Sequence, residues 1–148
     1  MTPNGALTAV IARLTAAGLV QARSPLGVSN ASSQRISRSF SVLPLSIGPS
    51  GSPGRGRADV PGLRVSQVFR VTLGHQIKPG DGQEGPSQAL QDYQRAAQFI
   101  NANGSTIFSQ GAALIFGQAS HRYVSGGAFM LTEFTVTLTY EMSLVVPS

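Results

Sequence analysis

Leu7, Val10, Ile11 and Leu14 recur at the three-and-four spacing of one helical face and predict an amphipathic helix over residues 3–18. Thr2 and Asn4 are candidate caps, and Pro3 suits a first turn. Gly18 can take the left-handed conformation that ends a helix, with Leu19 and Val20 folding back on it. Residues 21–34 read as a polar connector.

Alternation takes over next. Ile36, Phe40 and Val42 share one parity against Ser37, Ser39 and Ser41. Arg38 falls on the apolar parity, which places it at an edge or in an interface. Leu43, Leu45 and Ile47 move to the opposite parity around Pro44, the mark of a bulge or an edge position. Residues 48–62 hold five Gly and three Pro and predict a long mobile loop. The return strand spans about residues 63–75, with Val65, Gln67, Phe69, Val71 and Leu73 on one face. Residues 78–86 are a second turn-rich break. A second helix is expected over 87–101, its stripe being Leu90, Tyr93, Ala97 and Ile100, extended by Ala96. Residues 112–116 predict a short buried strand, and Gly126–Gly127 a tight turn. The strongest strand comes last: Phe134, Val136, Leu138, Tyr140 and Met142 alternate with Glu133, Thr135, Thr137, Thr139 and Glu141.

This order predicts one α+β domain over residues 1–148. It has an antiparallel or mixed sheet of about four strands, two helices on one face, and the Gly/Pro/Arg loop between the first two strands. No internal repeat breaks the pattern.

Composition narrows the function classes. Charged residues are 11 % of the 148, against a usual quarter, so Ser, Thr, Gln, Asn and Gly must supply much of the surface. No cysteine is present, which excludes disulfides, thiolate metal sites and a thiol nucleophile. No apolar run reaches the roughly 18 residues of a membrane span. The first apolar stretch has no basic segment before it, which argues against a signal peptide.

The net charge of +5 is unevenly spread. Residues 1–80 hold nine basic side chains and one acid, whereas residues 81–148 hold two basic side chains and five acids. The halves therefore carry +8 and −3. Three readings stand: nucleic-acid contact by the basic half, unlike faces of neighbouring copies meeting in a ring, or scattered solvated arginines.

Candidate chemistry is sparse. His75 and His121 lie in no metal-ligand spacing and read as strand-end or surface residues. Asp81 and Glu84 sit in a turn, and Glu133 and Glu141 on a wet strand face, so no enclosed carboxyl is expected. The run 51–57 is glycine-rich but lacks the order of a phosphate-binding loop and is followed by no helix. No zinc-finger spacing or base-stacking aromatic pattern occurs, and Phe108, Phe116, Phe129 and Phe134 read as core. We therefore expect no catalytic, cofactor or metal residues. These properties suit a module that becomes fully ordered in an assembly.

The order of elements resembles the tail-terminator (tail-completion) proteins of long-tailed bacteriophages. Three features carry it: the N-terminal helix over 7–17, the strand–loop–strand–helix order over 36–100, and a closing strand ending Thr139-Tyr140-Glu141-Met142. The resemblance implies a non-enzymatic virion protein at the tail–neck junction, made in the host cytoplasm and without a membrane partner. It would form a homo-oligomeric, hexameric ring on the last ring of the tail tube. That ring would end polymerisation, present a surface to the neck or head-completion protein, and let genomic DNA pass without sequence-specific binding. Under it, Arg55 and Arg57 are candidates for tube or inter-subunit contact, and Arg35, Arg38, Arg64 and Arg70 for a partner or the DNA channel. The alternatives are a head–tail connector of the neck and, further off, a small basic nucleic-acid-binding module.

Overall fold

The computed structural model describes residues 2–23, 26, 37–50, 62–78, 80, 82–101, 113–124 and 128–144. They form an α+β fold. Its elements are α1 (Pro3–Ala16), β1 (Val20–Gln21), β2 (Ser39–Pro49), β3 (Gly62–Gln76), α2 (Glu84–Asn101), β4 (Ala113–Phe116), β5 (Ser120–Val124) and β6 (Phe129–Ser143). Six strands make one mixed sheet in the order β1-β2-β3-β6-β4, with β5 also paired to β6. The β1–β2 pair is parallel and all the others are antiparallel.

Two strands exceed the expected four. β1 has only two residues and β5 five, too short for alternation to reveal. β4 and β5 both lie along β6, separated by residues 117–119. The β4 strand forms as expected but is not buried: Ile115 is 62 % exposed. Only Leu114 and Phe116 turn inward, to pack against the core.

α1 starts as its sequence dictates. The Thr2 hydroxyl accepts from the Gly5 amide at 3.0 Å, and Pro3 occupies the first turn. It ends at Gly18, whose φ is +92°. The Gly18 amide donates to Thr15 O, and the Leu19 amide to Leu14 O, closing a Schellman motif. Leu19 and Leu14 are both buried beside this turn, whereas Val20 is 45 % exposed.

The inner face follows strand parity. Val65, Phe69, Val71 and Leu73 of β3 join Phe134, Val136, Leu138 and Tyr140 of β6, with Phe40 of β2, under Ala6, Val10, Leu14, Ala96 and Ile100 of the helices. The odd member, Gln67, is satisfied: it accepts from the Tyr140 hydroxyl at 2.7 Å and donates to Pro3 O. Tyr93 meets Phe134 edge-on at 5.1 Å. At one end the outer face is covered by a small cluster of Leu26, Leu131, Ala22, Val124 and Phe129.

β2 breaks register between Pro44 and Ser46, the bulge that Pro44 forecast. The extra residue returns Ile47 to the parity of Phe40 and Val42. The Phe40 carbonyl accepts from Ala22, and the Ser50 amide donates to Arg64 O. Those bonds fix which β2 residues turn their backbone away from β3, and both Pro44 and Pro49 are among them. Neither proline costs a ladder bond to β3, and both blunt the free edge. The strand runs to Pro49 and its partner starts at Gly62, so Gly48, Pro49 and Gly62, expected in the loop, belong to strands. Residues 51–61, Arg55 and Arg57 included, lie outside the described residues, as do Ile36, Arg35 and Phe108.

α2 begins three residues earlier than expected, at Glu84, because Pro86 in the first turn loses no helical bond. Its buried stripe is also rotated. Ala89, Asp92, Ala96 and Ile100 face inward and Leu90 is 53 % exposed.

Two glycines sit where a side chain is disfavoured, Gly18 by backbone conformation and Gly117 by lack of space. Gly18→Ala places a Cβ in the left-handed region and is expected to cost about 1 kcal/mol, with Gly18→Asn losing less. At Gly117, which donates to Thr135 O at 2.8 Å, a Cβ would collide with the Thr135 hydroxyl. Gly117→Ala is expected to cost about 1–3 kcal/mol. Urea midpoints of the variants check both.

Candidate functional site

An acid on the inner stripe of α2 requires compensation, since a buried carboxylate without partners is expensive. Asp92 is 2 % exposed and receives four donors. Arg38 donates from Nε to Oδ2 and from Nη2 to Oδ1, each at 3.0 Å. His75 Nε2 lies 2.7 Å from Oδ2, and Gln88 Nε2 lies 3.0 Å from Oδ1. Four donors fill the lone-pair sites of a carboxylate.

Each partner arrives from a different element. Gln88 sits one turn before Asp92 on α2. His75 is the last inward residue of β3, on the parity of Val71 and Leu73, and is 2 % exposed. Arg38 lies in the turn before β2, with a left-handed φ of +53°. That conformation is unusual for a non-glycine residue. The bidentate grip on Asp92 holds the Arg38 side chain in this turn, and the Arg38 carbonyl accepts from the Val20 amide of β1 at 3.1 Å.

The electrostatics follow from this geometry. Burial alone pushes the Asp92 carboxyl up. The hydrogen bonds from Arg38 and His75, the Arg38 charge and Gln88 outweigh it and hold the group below its ordinary range. The Arg38 guanidinium is raised in turn, chiefly by its hydrogen bond to Asp92. An ionised carboxylate only accepts, so His75 donates from Nε2. Its Nδ1 is buried with no partner.

Beside the cluster lies an open cleft of about 530 Å³, between the Ala17–Gly18 turn, Arg38 and the outward side of α2. Gln88, Gln91, Gln94 and Gln98 line it at helical spacing, together with Asp92 and Arg95. Arg95 donates from Nε to Ala17 O at 2.7 Å and stacks over Phe99 at 4.9 Å. Arg13 of α1 donates to Phe99 O at 3.1 Å. Each helix thus sends an arginine to a carbonyl near the other's C-terminal end, where cations are favoured.

Of the arginines picked out in the sequence, Arg38, Arg64 and Arg70 are among the described residues, and of these only Arg38 belongs to this site. Arg70 and Arg64 lie on the outer sheet face, opposite Thr135 and Glu141 of β6 respectively. Arg64 is exposed, and Arg70 is half-buried with its Nε enclosed and unpartnered. The expectation of no enclosed carboxyl is corrected by Asp92; of the two readings of His75, the strand-end one holds, and the residue is buried there. His121 is exposed and pairs with the Thr132 hydroxyl at 3.0 Å. The parity of His75 with Leu73 signalled its direction. The spacing of Ala89, Asp92, Ala96 and Ile100 signalled the stripe, but the larger Leu90 and Tyr93 favour the neighbouring one.

No protein-family model matches the chain, and no curated protein matches it. Among the described residues no group of three or more His, Cys, Asp or Glu could hold a metal ion. No helix among them is long and apolar enough to cross a membrane.

Because the native Asp92 pKa is depressed, its stabilisation is present above the unfolded value of about 3.9 and is lost as pH falls through the lower native value. Asp92→Asn is expected to cost about 3 kcal/mol at pH 7 and to flatten the acid limb of the stability profile. Urea midpoints against pH for both proteins measure this. An equally steep acid limb in Asp92→Asn would assign that limb to other carboxylates.

Proposed function

We propose that this protein is a structural subunit of a long-tailed phage virion. It forms a hexameric ring that caps the head-proximal end of the tail tube, ends tube polymerisation and offers a surface to the neck protein, while genomic DNA passes through the ring.

The observation that carries this reading is the lack of charge along two outer strands, β2 and β4. β2 has no charged residue along its eleven positions, and Leu45 and Ile47 on it are 49 % and 46 % exposed. β4, at the other edge, is also uncharged and exposes Ile115. Edges of monomeric sheets are commonly protected by charge. Exposed apolar side chains at opposite edges suit head-to-tail contacts, the type that closes into rings. Apart from the two-residue β1, the element order helix, strand, strand, helix, strands is the one on which the resemblance rests. The buried polar cluster ties α2 to the sheet, and the second ring nitrogen of His75, Nδ1, is itself enclosed, away from any substrate. This supports an architectural role for the cluster over a catalytic one.

Disrupting the gene in the particle-producing host and imaging the lysate by negative-stain electron microscopy tests the reading. Overlong tails of variable length beside separate filled heads are expected. Unjoined tails of uniform, correct length would move the assignment to a head–tail connector. Normal infectious particles would sink both, leaving salt-dependent nucleic-acid binding as the next measurement.

A further inference from the structure

From the donor inventory of the cleft beside α2, we infer that it is a binding site for an acidic peptide segment of a partner protein. The argument is independent of the ring assignment. The only carboxylate among the described residues of the wall, Asp92, has all its acceptor sites filled by Arg38, His75 and Gln88. It therefore accepts nothing more from a ligand. The two guanidiniums are each anchored along part of their perimeter. Arg38 spends Nε and Nη2 on Asp92 yet keeps a 47 % exposed side chain. Arg95 spends Nε on Ala17 O and rests on the Phe99 ring. Both are fixed before a ligand arrives, so less side-chain freedom is lost on binding.

Two cations against one neutralised carboxylate leave the wall at +1, complementary to an anion. Nucleic acid fits poorly, since its affinity comes from neutralising many phosphates along a basic stripe. The four glutamines fit a peptide better. Their amides both donate and accept, and so match main-chain groups flanking a carboxylate side chain. Gln91, Gln94 and Gln98 are exposed along the floor.

The test is a titration of the full-length, ¹⁵N-labelled protein with a blocked peptide of alternating aspartate and glutamate, followed at the Arg38 and Arg95 Nε–H and glutamine amide resonances. Saturable shifts confined to the cleft are expected. Gln98→Glu should weaken the peptide about fivefold and Gln98→Lys strengthen it by a similar factor. Arg95→Gln should weaken it about tenfold. Arg122→Gln, on β5, should leave it unchanged. Gln98 is exposed on the helix surface, so its charge series holds even where Arg95→Gln loosens the fold, which a thermal melt reports. Absence of saturable shifts, or an equal loss in Arg122→Gln, overturns the site. Phosphate binding as tightly as the peptide would make it a small-anion site. Tighter binding of a short oligothymidylate at the same resonances would make it a nucleic-acid site. Either result overturns the peptide assignment.

Discussion

The Asp92 carboxylate is withdrawn from water and held by donors that the chain brings from residues 38, 75 and 88. Without those donors its burial would cost several kcal/mol. With them it fixes where three elements meet: the entrance to β2, the end of β3 and the first half of α2. The turn at Arg38 has a backbone conformation that few arginines adopt, and the same turn gives its carbonyl to β1. The short parallel β1–β2 pair and the placement of α2 therefore depend on one charge balance.

Around that point the fold divides its work by face. The long β3–β6 ladder, fifteen register pairs, supplies the inner apolar row and a mainly polar outer row of Ser, Thr, Arg and Glu. Small residues bring α2 close: Ala89 and Ala96 lie on the sheet, while Leu90 is left to solvent. Close approach is also what makes Asp92 reachable by His75 on the sheet beneath it. The arginines exchanged between the helices, Arg13 to Phe99 O and Arg95 to Ala17 O, satisfy carbonyls that helix ends leave open.

The two uncharged strands are built differently. β2 avoids strand addition with two prolines instead of charge, and β4 carries neither among its four residues. The uncharged strands β2 and β4 and the polar, cationic cleft on the helix side are chemically different surfaces. A subunit between a neighbouring copy and an acidic partner segment would use both, and nothing in the cluster at Asp92 has to change for either contact.

The sequence alone determined the elements whose cause is local. Alternation of period two placed β3 and β6 and sorted their faces correctly, with Gln67 identified on the buried parity. Thr2, Pro3 and Gly18 marked both ends of α1, and Pro44 marked the bulge, because each acts through its own backbone or its immediate neighbours. Tertiary structure decided the rest. The two-residue β1 exists only because β2 lies beside it. β5 has too little pattern of its own and is defined by β6. The stripe of α2 was set by how near the helix can approach the sheet, which favours alanine over the more hydrophobic Leu90. Asp92, His75 and Arg38 form a site only because burial makes their pairing obligatory, and no spacing along the chain encodes a contact between residues 54 positions apart.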